Sequence, residues 1–114
     1  MQNPADAPLD HQSGKPDTIA DALRTTLGSN TWPIVRDNVE RVLRVEEAEI
    51  VRAMKLVFER SKQVIEPSAA VAVAAVLGEE FASLDGKLEA VGVVLCGGNC
   101  DVEGLSGLLK TIGE

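Results

Sequence analysis

The chain has 114 residues, 45% of them hydrophobic, which suits one domain or a piece of one and is too apolar for a disordered segment. Its net charge of −7 opposes a phosphate-backbone partner, and with only Trp32, Phe58 and Phe81 as aromatics, base stacking on nucleic acid is not expected. The apolar runs fall short of a membrane span and the N-terminus lacks a basic-plus-apolar leader, so a cytoplasmic protein without a membrane partner is expected.

Residues 1–16 are polar, contain Pro4, Pro8, Gly14 and Pro16, and read as an irregular N-terminal segment ahead of a folded part over residues 17–114. A short ordered stretch follows at 18–23. Gly28, Ser29, Asn30 and Thr31 are turn residues. Trp32 and Pro33 then open a short helix to about Asn38, with Asn30 or Thr31 able to cap it and Pro33 suited to the first turn. Residues 39–45 place Val39, Arg41, Leu43 and Val45 on one face at period two and read as a strand.

The clearest helix spans about residues 47–65, where Ile50, Met54, Val57, Phe58, Ser61 and Ile65 recur at helical spacing. Glu46, Glu47 and Glu49 suit its positive end, although no Ser, Thr or Asp caps it. Pro67 is expected to break it at Glu66. Residues 68–81, rich in Ala and Val, read as a second helix buried on most sides. A turn at 84–87 leads to the apolar run at 91–95, a buried strand, and a last helix covers about 102–110. Alternating helices and strands indicate an α/β fold. Two strands are few for a self-sufficient sheet, so the chain is expected to pack against more protein than it contains.

The run at 91–95 ends in Cys96, Gly97, Gly98 and Asn99. Two glycines there permit a sharp turn and a close ligand, and ligands of open α/β sheets sit at the carboxyl ends of strands. Cys96 is either a small buried hydrophobe or a weak hydrogen-bond partner for a bound heterocycle. Glu66 is either an exposed helix-end carboxylate or one held at a site, and Lys62 lies one helical turn before it. Asn99 is a turn residue or a ligand contact, and Asn30 is a cap or turn residue. A Cys96–Cys100 disulfide is disfavoured in a reducing compartment, and His11, the one histidine, gives no zinc set.

Four blocks, in order, carry a resemblance from Thr18 to about Leu105. They are Thr18-Ile19-Ala20-Asp21, Gly28-Ser29-Asn30-Thr31-Trp32-Pro33, Ile65-Glu66-Pro67-Ser68-Ala69 and Cys96-Gly97-Gly98-Asn99. With these blocks the chain resembles the C-terminal part of the serine racemase and catabolic serine/threonine dehydratase family. These are pyridoxal-phosphate enzymes of the tryptophan-synthase-β-like fold.

The resemblance implies a three-layer α/β fragment of the family's large domain, with about two core strands and four helices. It implies that Cys96 hydrogen-bonds the pyridine nitrogen of pyridoxal phosphate, that Gly97 and Gly98 pass beneath the ring, and that Glu66 stands near it. A neutral partner at that nitrogen moderates electron withdrawal and favours β-elimination and racemisation. Lys62 and Asn99 match positions that contact ATP in nucleotide-activated members. Asn30 matches a position linked to a divalent cation, Mg2+ or Ca2+. Serine and threonine are the implied substrates, and a homodimer the implied assembly.

The departures are equally definite. None of Lys15, Lys55, Lys62, Lys87 or Lys110 sits in the context of the family's Schiff-base lysine. The glycine loop for the cofactor phosphate and the small domain have no counterpart in the chain. Pro4-Ala5-Asp6-Ala7 is a shortened echo of the family's metal motif, and Ala22 replaces a usual glycine. The short stretch after Asn99 leaves no room for a regulatory domain, which favours the short racemase and catabolic types. The expected function is therefore a fragment of a serine racemase or L-serine/L-threonine ammonia-lyase, inactive by itself. The alternative is a non-catalytic remnant that binds a ligand or a related subunit.

Overall fold

A computed structural model describes residues 16–84, 86 and 88–110. Among them run a 3-10 turn, Asp21–Leu23, and five α-helices: α1 Trp32–Asn38, α2 Glu47–Leu56, α3 Pro67–Leu77, α4 Glu79–Ala82 and α5 Val102–Lys110. The core lies between α2 and α3. Ile50, Ala53, Met54 and Val57 meet Ala69, Ala70 and Ala74, with Ile65 and Leu105 closing the ends. Alanines on α3 let the two backbones approach closely, so this small interface excludes water from its centre. Leu77, the last residue of α3, is exposed. Ala69, Ala70 and Ala74 are buried and the other positions from Pro67 to Val76 are partly buried, so the helix is covered on most sides as its composition suggests, its C-terminal end excepted.

The stretch before α1 is strapped onto this pair. The Ile19 N–H donates to Glu47 Oε2 at 3.0 Å, and the Ala22 N–H donates to Ser68 Oγ at 3.2 Å. Ala20 is buried between the two anchors. By contrast, α1 has no buried residue, and it forms where Pro33 presets the first turn. Thr31 precedes it, but its hydroxyl donates to Gly28 O at 3.0 Å and does not cap the helix.

Three boundaries depart from the sequence reading. First, α2 is capped after all: the Glu46 N–H donates to the Glu49 carboxylate at 2.6 Å, and Glu46 takes the place of the usual hydroxyl residue in a capping box. Second, α2 does not reach Ile65. It widens into a π turn over Val57–Ser61 and stops at Lys62, whose φ of 56° is left-handed. Glu66 is extended, as the residue before a proline must be. Third, the helix expected over 68–81 is divided at Gly78, where ψ of 157° interrupts the hydrogen-bond ladder. Glycine is a weak helix former, and α4 restarts directly after it.

The described residues contain no β-strand, so neither residues 39–45 nor 91–95 form the expected strands. A strand exists only through its ladder. Among the described residues, a single backbone hydrogen bond, Glu66 N–H to Gly97 O at 3.3 Å, joins the 91–99 segment to a neighbour. Val91, Val93, Val94 and Leu95 are all exposed, Val94 by 77%. The apolar pattern is present but the sheet neighbours that would cover it are not among the described residues. No helix of the described residues is long and apolar enough to cross a membrane. The expected irregular segment lies almost wholly outside the described residues, as do Pro4-Ala5-Asp6-Ala7, Lys15 and Lys87.

Candidate functional site

The candidate site forms where the residues leading into α3 meet the turn after Leu95. Pro67 holds Glu66 extended, so Glu66 presents both its N–H and its side chain to the passing chain. Its N–H donates to Gly97 O, and its Oε2 accepts the Asn99 N–H at 3.3 Å. The carboxylate lies directly over Gly97. A Cβ placed there would fall 2.6 Å from Glu66 Oε1, and the φ of 97° is one that side-chain-bearing residues rarely adopt. Gly97 is thus required twice, by conformation and by contact. At Gly98 a Cβ would meet Val64 O at 3.3 Å, a tight but milder contact.

The thiols differ. Cys96 is exposed and free, which overturns the buried-hydrophobe reading. Cys100 is free and half-buried, and its Sγ lies 3.9 Å from Asp101 O. Burial pushes the Cys100 thiol up from its ordinary range, and the negative charges of Asp101 and Glu66 add to that.

An open hollow of about 590 Å³ runs alongside, lined by Gln63, Val64, Ile65, Val93, Leu95, Gly97 and Gly98. Val93 and Leu95 alternate along it, as one face of an extended segment does, and Gly97 and Gly98 close its end. Two further hollows, about 330 and 360 Å³, follow α2 and α3 and contain none of the candidate residues.

The structure therefore brings Glu66, Gly97 and Asn99 together, with Cys96 and Gly98 in the same turn. Lys62 does not join them. Its left-handed backbone takes it off the helix ladder, and its Nζ donates to Glu59 O at 2.6 Å instead of facing Glu66. Asn30 lies in an exposed turn held by Gly28, Thr31 and Trp32. Among the described residues no group of His, Cys, Asp and Glu is arranged to hold a metal ion. Helical spacing assigns Val64 and Ile65 to the end of the long helix, although Ile65 also opens the third matching block. The available signal was a β-branched pair just before Glu-Pro, a pattern of extended chain.

The family profile for "Pyridoxal-phosphate dependent enzyme" matches residues 3–97. Serine racemase of Dictyostelium discoideum is 48% identical over 100 residues, 88% of this chain and 31% of the relative. The crystal structure of that Dictyostelium enzyme aligns with a TM-score of 0.72, covering 76% of this chain and 28% of the solved one. The crystal structure of a threonine deaminase from T.th. aligns with a TM-score of 0.70 at 42% identity, covering 78% of this chain and 31% of the solved one. The chain thus spans under a third of the length of these relatives, and its described helices follow the corresponding part of their fold. With a matching profile over most of its length, the chain belongs to the pyridoxal-phosphate-dependent enzyme family.

Proposed function

We propose that this chain supplies one wall of the cofactor site of a serine racemase or L-serine/L-threonine ammonia-lyase. The observation that carries the reading is the junction of Glu66, Gly97 and Asn99. A carboxylate is fixed over a left-handed glycine, beside an exposed thiol. The exposed Cys96 thiol fits a flat heterocyclic cofactor as a neutral partner for a ring nitrogen, and in this reading Gly97 and Gly98 carry the chain beneath the ring. When bound, pyridoxal phosphate supplies the electron sink that stabilises negative charge at the α-carbon of an amino acid.

In this reading Cys96 holds the ring nitrogen without fixing a charge on it, and Glu66 orients the ring edge. Lys62 would have to leave Glu59 O to reach a nucleotide such as ATP beside Asn99. Asn30 would lend its amide to a Mg2+ or Ca2+ ion. Residues 39–45 and 91–95 become strands of an α/β sheet when its other strands lie beside them. Serine and threonine are the substrates, and the intact enzyme is a cytoplasmic homodimer.

The chain alone is inactive in this proposal, because no lysine of residues 1–114 stands in the family's Schiff-base context. A second reading, a non-catalytic module that binds a related subunit, draws on the uncovered Val91, Val93, Val94 and Leu95. A chimaera separates the two. Residues 18–105 of this chain would replace the matched part of Dictyostelium serine racemase. A folded chimaera that retains pyridoxal phosphate and turns over serine is expected, whereas a folded one that cannot retain the cofactor overturns the proposal. Serine turnover by the 114-residue chain itself would overturn the inactivity.

A further inference from the structure

We infer that Cys96 and Cys100 form a peroxide-driven, reversible disulfide that closes residues 97–99 into a small ring. Both thiols are free, and Cys96 is exposed. A disulfide needs its two Cα atoms roughly 5.5 Å apart. The chain between them is built to turn. Gly97 already holds a φ of 97°, Gly98 has no side chain, and the Cys100 N–H donates to Gly98 O at 2.9 Å. The backbone thus doubles back immediately before the second sulfur.

The two sulfurs are suited to different steps. The sulfur of exposed Cys96 attacks one oxygen of hydrogen peroxide and breaks the O–O bond, becoming a sulfenic acid while its thiol proton leaves with the departing hydroxyl as water. Cys100, half-buried and held protonated beside Asp101 and Glu66, is the resolving thiol. Its sulfur displaces the sulfenic hydroxyl, its proton leaves with that group as water, and the S–S bond forms. Two electrons pass from the sulfurs to the peroxide, which ends as two waters. A dithiol reverses the reaction by exchange.

Closing the ring has a structural consequence. Asn99 lies inside it and donates its N–H to Glu66. Drawing Cys96 toward Cys100 pulls that donor away, so oxidation releases the Glu66 carboxylate. It also removes the thiol hydrogen that Cys96 would offer a ring nitrogen. That last effect rests on the role proposed for Cys96; the crosslink does not.

The test uses the full chain without cofactor. It is treated with hydrogen peroxide, capped with N-ethylmaleimide and weighed intact. The expected product has lost two hydrogens, carries no maleimide, stays monomeric and regains two alkylatable thiols with dithiothreitol. Cys100→Ser should instead stop at a sulfenic acid on Cys96 that dimedone captures. An oxidised product linked between chains, a Cys96 sulfinic acid beside an alkylatable Cys100, or two thiols that survive peroxide would each overturn the inference.

Discussion

The carboxylate of Glu66 rests on Gly97, so the two positions must change together. Alanine at 97 faces a left-handed φ, worth roughly 1–2 kcal/mol, and an overlap with the carboxylate. Gly97→Ala is expected to lower stability by about 2 kcal/mol or more. In the Glu66→Ala background only the backbone part remains, so the same substitution should have a smaller effect. Urea unfolding of the four proteins gives the coupling directly. Equal effects of Gly97→Ala in both backgrounds would show that the carboxylate is free to move aside.

How much of this junction was legible in the sequence depends on what kind of signal each residue carries. Glu66, Gly97 and Asn99 stand in two short blocks that begin 31 residues apart, at Ile65 and Cys96, and the family resemblance singles out both. Their contact with one another came only from the fold. Where a cap, a proline or a periodic face fixes local structure, as for α1 and α5, the expected bounds agree with those observed. Lys62 has no such marker. Nothing in its residue type announces a left-handed φ, so helical spacing carries the helix over Val64 and Ile65 and puts Lys62 one turn from Glu66. The strands show the opposite limit. Residues 91–95 have the right composition, but a ladder is a property of two segments, and composition cannot supply the second.

The strap before α1 should be sensitive to acid. The Thr18 hydroxyl, then the Ile19 N–H, hold the Glu47 carboxyl below its ordinary value of 4.5; partial burial opposes them and Arg24 adds a smaller attraction. A carboxyl lowered in the folded state binds fewer protons there than in the unfolded chain. Its contribution is therefore complete above the ordinary carboxylate range and is lost as pH falls through the folded value. Glu47→Gln should remove that part of the acid slope while leaving the rest. Hydrogen exchange at the Ile19 amide, followed from neutral to acid pH after correction for intrinsic rates, reads the anchor itself. Protection that is unchanged in Glu47→Gln would refute it.

Packing between α2 and α3 predicts an asymmetric response to size. Ala70 is fully buried and Met54 is 2% exposed. Ala70→Leu forces the helices apart and should lower stability by about 1–3 kcal/mol. Met54→Ala leaves a cavity and should lower it by about 2–5 kcal/mol. Leu77→Ala, at the exposed C-terminal end of α3, should change little. Urea midpoints for the three variants check the ordering, and a large effect at Leu77 would mean that this end of α3 is covered in solution.

Val94 is the position that decides whether the 91–95 surface is meant to be covered. It is 77% exposed, so in the chain alone a lysine there removes no packing, and stability should stay within about 0.5 kcal/mol. In the chimaera with Dictyostelium serine racemase the same residue would stand in a sheet with neighbours on its faces. A lysine would then place an unpaired charge in a dry layer and lower stability by several kcal/mol. The contrast between the two contexts is the informative quantity. If Val94→Lys is as harmless in the chimaera as in the chain alone, this segment is not a buried strand of the assembled enzyme, and the apolar run from Val91 to Leu95 needs another partner.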